Sequence, residues 1–411
     1  MSVRKRKWVT SKGEQREAFI ADFVDQKGER HIRTFDRKKD ADAYAASVRV
    51  DVKAGLHTSG KATVADAGAR WVTDAEDRLE ASTVESYRQH LKDHIGPFIG
   101  GTKLSELTVP GVRAFMDMLR KEGRSTAMIK RVVGDLGAIL ADAQERGLVA
   151  QNVVRSLSRN RKKHRQVEER HKANLKVGVD IPTPAEIKAI AAQLRGRWRP
   201  LILTAIFTGL RASELRGLKW PDVDLKKNEL HVRQRADRYG TIGSPKTKSG
   251  QRTVPLPPML ANALREWKLQ CPKTELGLVF PTGERERRDG SVIGGTIEHH
   301  TNIVQRGLMP AQIIAGVTVP VLDQNGKPVL DEKGNPAVTA KYTGLHALRH
   351  FYASWCINRP QDGGLGLPAK VVQYRLGHSS ITVTMDTYGH LFPRGDDGAE
   401  MAAAERSLIG A

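Results

Sequence analysis

Residues 59–154 carry the most regular pattern of apolar and polar positions in the chain. Apolar side chains recur there at spacings of three and four, as in amphipathic helices that bury one face. The predicted helical segments lie at residues 61–77, 82–100, 108–123 and 125–148. We therefore predict an all-α domain for this part of the chain.

The ends of these segments carry residues with known terminal preferences. Ser82, Thr108 and Ser125 stand where a side-chain oxygen is expected to cap the first turn of a helix. Gly96–Pro97 and Gly100–Gly101 are expected to separate the second helix from the third, because both pairs disfavour a continuous helix.

Residues 1–58 show a different periodicity. Residues 17–24 and 29–35 alternate apolar and polar side chains, as short strands do. A helical segment follows over residues 37–55 and is expected to stop at its terminal glycine. We predict a small α+β module, which is too small for much beyond recognition of a partner.

Residues 181–394 are predicted to form a larger, mostly helical domain with a small β-sheet. Thr183 caps its first helix and Pro184 occupies the first turn. The predicted helices lie at residues 184–194, at 199–218 with an interruption at Thr208–Gly209, and at 259–270. The predicted strands lie at residues 228–234, 244–257 and 276–281.

Residues 282–342 are the least regular stretch of this domain. Two similar pieces follow each other at residues 321–328 and 329–336, and each holds a glycine-containing turn between short apolar runs. We predict a β-hairpin insertion here. Residues 395–411 form an acidic and then apolar tail, in which residues 401–409 can form a short docking helix.

The excess of basic residues points to a polyanionic partner. The formal net charge is +21, and the excess is spread along the chain. Residues 155–176 hold nine Lys or Arg against two Glu, a net of +7, without a clear apolar face. We predict a basic linker over residues 155–180 that lies along a phosphate backbone. A merely solvated linker, and a basic surface of the ribosomal kind, are the alternatives.

Several other classes of protein are disfavoured. Cys271 and Cys356 are the two cysteines and lie far apart, which argues against a disulfide framework and a structural zinc site. No apolar run approaches the ~20 residues that span a bilayer. The N-terminal residues lack the apolar segment of a signal peptide. We therefore expect no metal, no membrane anchoring and a cytoplasmic location.

One set of cationic and nucleophilic side chains suits phosphodiester chemistry. Arginine binds phosphate oxygens bidentately and stabilises the charge of the transition state. Tyrosine supplies an oxygen nucleophile when a base and nearby cations assist it, and histidine and lysine can move the protons. On a helix, the i and i+3 positions of His346 and Arg349 share a face. The candidates are Arg211, Lys246, His346, Arg349, His378 and Tyr388.

Five motifs in this order resemble those of tyrosine recombinases of the phage-integrase type. They are GLRASEL, PKTKSGQR, HALRH, LGHSS and MDTYGH. Residues 82–108 resemble the helical core-binding domain of that family. Residues 1–58 resemble the three-stranded module with which larger integrases bind arm-type DNA sites. The resemblance implies a multidomain fold of arm-binding module (three strands plus a helix), all-α core-binding domain at 59–154 and catalytic domain at 181–394.

The resemblance also implies how the strand is cut. Tyr388 would attack the scissile phosphate, form a 3′-phosphotyrosyl bond and free a 5′-hydroxyl. Arg211 and Arg349 would hold the phosphate. Because the phosphotyrosine stores the bond energy, rejoining would need no ATP, metal or other cofactor.

The proton transfers are implied by the same resemblance. His346 would accept the tyrosine proton, Lys246 would protonate the leaving 5′-oxygen, and His378 would hydrogen-bond the phosphate. Lys248 is an alternative to Lys246, because both lie in one turn.

Other residues near the motifs have simpler interpretations. Arg211 could form a structural ion pair with Glu214, which is expected to orient that region. We assign His350 a supporting role and His390 a structural one. Tyr352 and Tyr374 are alternative nucleophiles, but they lack the spacing from LGH that Tyr388 has. His299 and His300 are alternative metal ligands, but no carboxylate or thiol stands at ligand spacing from them.

Further basic side chains are candidate phosphate contacts. They are Arg88, Lys92, Lys103, Arg124, Lys130, Arg131, Arg161, Lys162, Lys163 and Lys248. The resemblance implies double-stranded attachment-site DNA as partner and a homotetramer on that DNA. It also implies host DNA-bending and directionality proteins as accessories, on the nucleoid of a bacterial cell.

These observations together predict an integrase that inserts or excises a phage or other mobile element. A resolvase for chromosome or plasmid dimers is the nearest alternative, and the arm-like first module argues against it. A DNA-relaxing topoisomerase of the tyrosine type and a non-catalytic DNA-binding protein are the others.

Overall fold

A computed structural model provides the structure of the chain. It describes residues 2–9, 15–24, 30–53, 62–157, 174–283, 285–286, 292–323, 325–331, 333–393 and 397–410. The chain divides into two compact units, Met1–Lys172 and Ala173–Ala411. Among the described residues, no helix has both the length and the apolar content to cross a bilayer.

The first unit begins with a three-stranded antiparallel sheet and a helix. The strands β1 (Ser2–Val9), β2 (Gln15–Val24) and β3 (Arg30–Phe35) pair in sequence order, and α1 (Lys38–Lys53) follows. The two predicted strands and the predicted helix are confirmed, and the predicted stop at Gly55 lies outside the described residues. The third strand is the basic N-terminal segment, whose described side chains are almost all exposed.

The rest of the first unit is helical. Its elements are α2 (Val64–Glu76), α3 (Ala81–His90), a π-turn (Leu91–Ile95), α4 (Gly96–Ile99), α5 (Val109–Lys121), α6 (Thr126–Glu145) and α7 (residues 153–157). A buried apolar cluster joins α2, α4, α5 and α6. The four predicted helical segments are therefore confirmed.

Two of the predicted helix boundaries are wrong. Ser82 lies inside α3, because the carbonyl of Glu80 already accepts the first backbone hydrogen bonds of that helix. Gly96–Pro97 does not end the helical run. The preceding π-turn bonds the amide of Gly96 to the carbonyl of Leu91, which widens the backbone where the proline ring enters.

The other predicted boundaries are correct. Thr108 and Ser125 accept hydrogen bonds from the amides of Gly111 and Met128, as N-caps do. The helical run ends at Gly100, where a Cβ would lie 2.5 Å from the carbonyl oxygen of Gly96.

The second unit is built around one helix that is buried on nearly every side. This helix is α9 (Trp198–Thr208), and eight of its eleven residues are buried. Around it lie α8 (Pro184–Gln193), α11 (Pro258–Gln270) and α14 (Leu345–Ile357), which share its apolar cluster. Its lack of a polar face explains why the sequence shows a continuous apolar run there.

The small sheet of this unit is antiparallel. The strands β4 (Val223–Asp224), β5 (Glu229–Val232) and β8 (Arg252–Pro255) pair in the order β4-β5-β8. Between β5 and β8 lies a two-stranded hairpin of β6 (Arg235–Ala236) and β7 (Ile242–Gly243). The predicted strand at residues 276–281 is wrong: Leu278 and Pro281 make isolated bridges to two different segments, so no ladder extends.

A helical segment at residues 300–314 was not predicted. It consists of α12 (His300–Asn302), a π-turn (Ile303–Leu308) and α13 (Met309–Ile314). The π-turn shifts the apolar spacing away from 3.6 residues, and Pro310 interrupts the pattern further. A short strand pair, β9 (Arg285–Glu286) with β10 (Val292–Ile293), precedes it.

The predicted hairpin insertion is a three-way junction. The strands β11 (Thr318–Pro320) and β12 (Val338–Ala340), which flank the two similar pieces, pair with each other. Between them, however, Val321, Val329 and Ala337 close a ring of backbone hydrogen bonds. Val329 donates to Val321 (2.8 Å), Ala337 donates to Val329 (2.7 Å) and Val321 donates to Ala337 (2.8 Å). The repeat of eight residues therefore builds two extra turns, not one longer hairpin.

Four further helices belong to the second unit. They are α10 (Ala212–Arg216), α15 (Ala369–Leu376), α16 (Ile381–Tyr388) and α17 (Asp397–Ile409), which contains the tail helix predicted at residues 401–409.

Candidate active site

The candidate site lies where α9, α10, β8, α14, α15 and α16 meet. The turn from α9 to α10 is fixed by Gly209, whose φ of +60° ends α9 in the left-handed region. A Cβ at this position would lie 2.4 Å from Cδ1 of Tyr352. Glycine is therefore required both by the backbone and by the packing of α14 against this turn.

Three arginines converge on the C-terminus of α15. The carbonyls of Arg375, Leu376 and Gly377 end this helix and have no partner inside it. They accept hydrogen bonds from Arg252 (Nε, 2.7 Å), Arg349 (Nη2, 2.6 Å) and Arg211 (Nη2, 3.1 Å), respectively. The partial negative charge of a helix C-terminus thus holds three guanidinium groups close together.

Glu214 neutralises part of this positive charge. Its carboxylate accepts from Arg252 (2.8 and 3.1 Å) and from Arg211 (2.9 Å), and the residue is 3% exposed. Burial raises the pKa of Glu214, but the hydrogen bonds and charges of Arg252 and Arg211 outweigh it and lower the pKa to about 2. The predicted orienting role of Glu214 has a concrete basis in this geometry.

The ion pair with Glu214 does not use up the guanidinium of Arg211. Its side chain remains 39% exposed, whereas that of Arg252 is fully buried. The structural ion pair considered from the sequence therefore exists, and Arg211 still presents hydrogen-bond donors to solvent.

Arg349 is the most deeply buried of the predicted cations. It is 2% exposed and donates to the carbonyls of Gly209 and Leu376, both at 2.6 Å. Burial lowers its pKa to about 9, and Arg211 and Arg252 contribute in the same direction. The guanidinium is still protonated at neutral pH.

Tyr388 is the last residue of α16 and is buried, with 1% exposure. Its hydroxyl lies 2.7 Å from Nδ1 of His350. Burial raises the pKa of Tyr388 to about 12, although the charges of Arg349 and Arg211 oppose this shift. The phenol therefore needs a proton acceptor before it can attack.

The predicted histidines lie on two sides of this tyrosine. The ring of His378 is parallel to that of Tyr388, at 6.3 Å between centroids, and its Nδ1 is 2.9 Å from Oγ1 of Thr384. His346 is exposed, and its ring contacts His350 edge-on at 4.5 Å. Burial lowers the pKa of His378 to about 4. The pKa of His346 is also lowered, mainly by partial desolvation and to a smaller extent by the charge of Arg349.

The two candidate lysines lie in the turn before β8. Lys246 is exposed in a bend after β7, and Lys248 begins a 3-10 turn over Lys248–Gly250. This agrees with the predicted turn. The choice between the two lysines stays a prediction.

The alternative nucleophiles, and one histidine considered as a metal ligand, make contacts within the fold. Tyr352 is buried beneath Gly209, and burial raises its pKa further than that of Tyr388. Tyr374 accepts a hydrogen bond from the amide of Thr253. His299 caps α12 by accepting from the amide of Thr301.

From the sequence, Arg252 was missed and His350 was given only a supporting role. Arg252 lies in the quoted PKTKSGQR motif, but only the fold shows that it reaches Glu214 and α15. His350 follows Arg349 directly and stands at i+4 from His346, a spacing that places both rings on one helix face. That spacing was the available signal for His350.

The candidate DNA contacts of the first unit vary in their environment. Arg88 pairs with Glu76 (2.6 Å) and Glu85 (2.7 Å), and Lys103 pairs with Glu106 (3.3 Å). The side chains of Lys92, Arg124, Lys130 and Arg131 are exposed. Arg161, Lys162 and Lys163 lie outside the described residues.

Comparison with protein families gives two matches. Residues 183–394 match the model of the phage integrase family, which covers 212 of the 411 residues. Residues 63–119 match the model described as the N-terminal SAM-like domain of phage integrases. The two matches cover the candidate catalytic residues and most of α2 to α5.

Similar curated proteins span most of the chain. A tyrosine recombinase XerC-like protein of Caldanaerobacter subterraneus is 26% identical over 373 residues, covering 87% of each chain. The ICEBs1 integrase of Bacillus subtilis is 22% identical over 327 residues, covering 76% of each chain.

Solved structures share the fold. The Tn1549 transposon integrase in complex with transposon right end DNA has a TM-score of 0.56 at 19% identity, covering 85% of this chain and all of that one. A lambda integrase dimer bound to a COC′ core site has a TM-score of 0.52 at 16% identity, covering 95% and 97%. The predicted fold class, a multidomain and mostly helical chain with small sheets, is confirmed.

Proposed function

Because the chain belongs to the phage integrase family, it is a DNA strand-transfer enzyme of the tyrosine recombinase type, and we propose that Tyr388 is its nucleophile. One observation supports this assignment above the others. The hydroxyl of Tyr388 lies 2.7 Å from an imidazole nitrogen, in a site where Arg211, Arg252 and Arg349 converge on one helix end. A buried phenol beside a base and clustered cations suits attack on a phosphodiester.

Arg211 and Arg349 hold the scissile phosphate in the proposed reaction. Arg211 keeps exposed donors, and Arg349 is fixed by two carbonyl oxygens. The attack forms the 3′-phosphotyrosyl bond and releases a 5′-hydroxyl. Fixed guanidinium groups stabilise the additional negative charge on phosphorus oxygens without reorganising during the reaction.

The remaining predicted residues act on the phosphate and the leaving oxygen. Lys246, or Lys248 in its place, protonates the leaving 5′-oxygen from the turn before β8. His378 hydrogen-bonds the phosphate through Nε2, since Nδ1 is engaged with Thr384. His346, for which the family resemblance implies the role of proton acceptor, lies on the exposed side of α14.

The proposed partner is double-stranded attachment-site DNA of a phage or other mobile element. Fold neighbours solved with transposon-end and core-site DNA, and the net charge of +21, support this assignment. We further propose a homotetramer on paired sites at the bacterial nucleoid, assisted by host DNA-bending and directionality proteins. Residues 1–58 bind arm-type sites and residues 59–154 bind the core site in this scheme.

A nicked duplex tests the assignment of the nucleophile. The duplex carries the sequence that the protein protects in footprinting of the DNA adjoining its own coding sequence, with a nick next to the cleaved bond. The wild-type protein is expected to accumulate a covalent adduct, because the short 5′-fragment diffuses away before rejoining. Tyr388→Phe is expected to form none.

Tyr374→Phe is the matched control, because it removes a hydroxyl from a neighbouring tyrosine of the same unit. It is expected to keep the adduct. An adduct that persists in Tyr388→Phe would overturn the proposed nucleophile.

A further inference from the structure

His350 is the side chain that meets the nucleophilic oxygen. Its Nδ1 lies 2.7 Å from the hydroxyl of Tyr388, and the two rings are nearly edge-on at 5.7 Å between centroids. Among the described residues, no other side-chain hydrogen bond to this hydroxyl is present. A group within hydrogen-bond reach of the proton to be moved satisfies the first requirement for a general base.

His346 has a different position. It lies one helical turn earlier on the same face of α14 and is exposed, whereas His350 is half-buried. The described ring contact of His346 is with His350, at 4.5 Å, and not with the phenol. The two histidines therefore form a row, with His350 next to the tyrosine and His346 next to solvent.

We propose that His350, and not His346, accepts the proton of Tyr388 when the tyrosine attacks the scissile phosphate. This inference rests on the proposed function. In the step, the proton of the phenol moves to Nδ1 of His350 while the hydrogen of the neutral ring stays on Nε2. The phenolic oxygen forms a bond to phosphorus, the bond from phosphorus to the 5′-oxygen breaks, and that oxygen takes a proton from the lysine of the β8 turn.

The surroundings of His350 keep it in the neutral form that a base requires. Burial lowers its pKa to about 4, and His346 and Arg349 act in the same direction, whereas Asp180 opposes them. The fourth titratable neighbour is Tyr388 itself. When an anionic phosphodiester binds at Arg211 and Arg349, its charge offsets theirs, and we expect the pKa of His350 to rise towards its ordinary value.

The rate of adduct formation on the nicked duplex separates the two histidines. His350→Asn keeps a hydrogen-bond acceptor near the position of Nδ1, but an amide oxygen cannot take up a proton in the pH range in which the enzyme is assayed. It is expected to slow cleavage about 100-fold or more, which is the usual contribution of a general base. His346→Asn is expected to slow it less, and His299→Asn, which can still cap α12, serves as the matched control.

The pH profile distinguishes a base from a positioning residue. The wild-type rate is expected to fall at acid pH as His350 becomes protonated, and His350→Asn is expected to lose this limb. His346→Asn is expected to retain it. A residue that only positions the phenol would change the rate without removing the limb.

Two chemical rescues check the direction of proton transfer. Replacing Tyr388 by 3,5-difluorotyrosine gives a phenol that ionises more readily, and it is expected to restore most of the rate of His350→Asn. A 5′-bridging phosphorothiolate needs no acid for its leaving group. It is expected to rescue Lys246→Ala, or Lys248→Ala if that lysine is the acid, but not His350→Asn.

The outcomes separate this inference from the proposed function. If the wild-type protein forms no adduct that depends on Tyr388, the proposed function fails. If it does, and His350→Asn binds the duplex with unchanged affinity but keeps both the rate and the acid limb, the role of His350 is refuted. Rescue of His350→Asn by the phosphorothiolate would also refute it, because it would assign His350 to the leaving group.

Discussion

At the scale of single residues, the site depends on a buried carboxylate. Glu214 is shared by Arg211 and Arg252, and without it two guanidinium groups would face each other and Arg349 in a partly dry environment. Removing one partner of a buried ion pair leaves an uncompensated charge, which destabilises by about 3–5 kcal/mol. Glu214 therefore controls both stability and the positions of the cations.

Glu214→Gln is expected to lower the free energy of unfolding by about 3 kcal/mol at pH 7. The control is Glu266→Gln, which breaks an exposed pair with Arg199 and is expected to change stability by less than about 1 kcal/mol. Denaturant unfolding of the wild type and both variants measures the difference. Equal effects of the two substitutions would contradict the role of Glu214.

The same residue predicts a pH dependence of stability. The folded-state pKa of Glu214, about 2, lies below its ordinary value of 4.5. Its stabilising contribution is therefore complete above pH 4.5 and is lost as the pH falls towards 2. Unfolding midpoints measured from pH 6 to pH 2 should fall more steeply in the wild type than in Glu214→Gln. Parallel curves would show that this carboxylate does not couple to folding.

At the scale of elements, the end of α15 organises the arginines. Gly377 has a φ of +64°, and a Cβ there would lie 2.8 Å from Nη1 of Arg252 and 3.0 Å from the carbonyl of Ser249. Its own carbonyl accepts from Arg211. One glycine thus sets the positions of two of the three guanidinium groups.

Gly377→Ala is expected to reduce both stability and adduct formation, because it adds a clash with Arg252 to the backbone strain. Gly363→Ala is the matched control: Gly363 has a φ of +77° but open space around its Cβ position. It is expected to lose only the about 1–2 kcal/mol of left-handed strain and to keep its cleavage rate. Comparable cleavage by the two variants, at a temperature where both are folded, would show that Gly377 does not set the positions of the arginines.

The three-way junction makes a separate prediction at this scale. Oδ1 of Asp331 accepts from the amides of Lys333 and Asn335, at 2.9 Å each, and Asp323 makes the same turn eight residues earlier. Asp331→Ala is expected to accelerate amide hydrogen exchange at Ala337, whose bond to Val329 closes the ring.

Adduct formation by Asp331→Ala on the nicked duplex is expected to be unchanged, because no described contact joins this turn to Tyr388. Asp362→Ala, which loses an exposed pair with Arg359, is the control for exchange. Unaltered protection of Ala337 in Asp331→Ala would show that the ring is held without this turn.

The sequence predicted elements better than it predicted contacts between them. Thr108, Ser125 and Thr183 mark helix starts because a cap is a local interaction within four residues. The helix at residues 300–314 was missed because its π-turn breaks the apolar spacing. Arg252 was missed because its partner Glu214 lies far along the chain, and no local pattern records such a distance. His350 was given only a supporting role, because its contact with Tyr388 also joins residues that are remote in sequence.

At the scale of the whole molecule, the candidate reaction site lies in the second unit, although basic residues occur along the whole chain. The catalytic candidates span positions 211 to 388 and come together only when the second unit folds. The first strand of the first unit is exposed and basic, with Arg4, Lys5, Arg6 and Lys7 in succession. From this exposed basic strand we predict additional DNA binding by the first unit, separate from the reaction site.

Deleting residues 1–58 is therefore expected to weaken binding to distal, arm-type sites while sparing cleavage of the nicked core duplex. A milder change, Arg6→Ala with Lys7→Ala, leaves the strand in place and, among the ion pairs of the described residues, loses an exposed pair of Lys7 with Glu17. It should remove about two phosphate contacts. The slope of log affinity against log salt concentration for distal binding should then become less steep by roughly 0.9 for each contact. Footprinting and binding titrations between low and moderate salt measure both quantities on the same DNA. Equal loss of distal binding and core cleavage would show that the first module serves the catalytic step itself, and an unchanged salt slope would exclude these two side chains from the phosphate contacts.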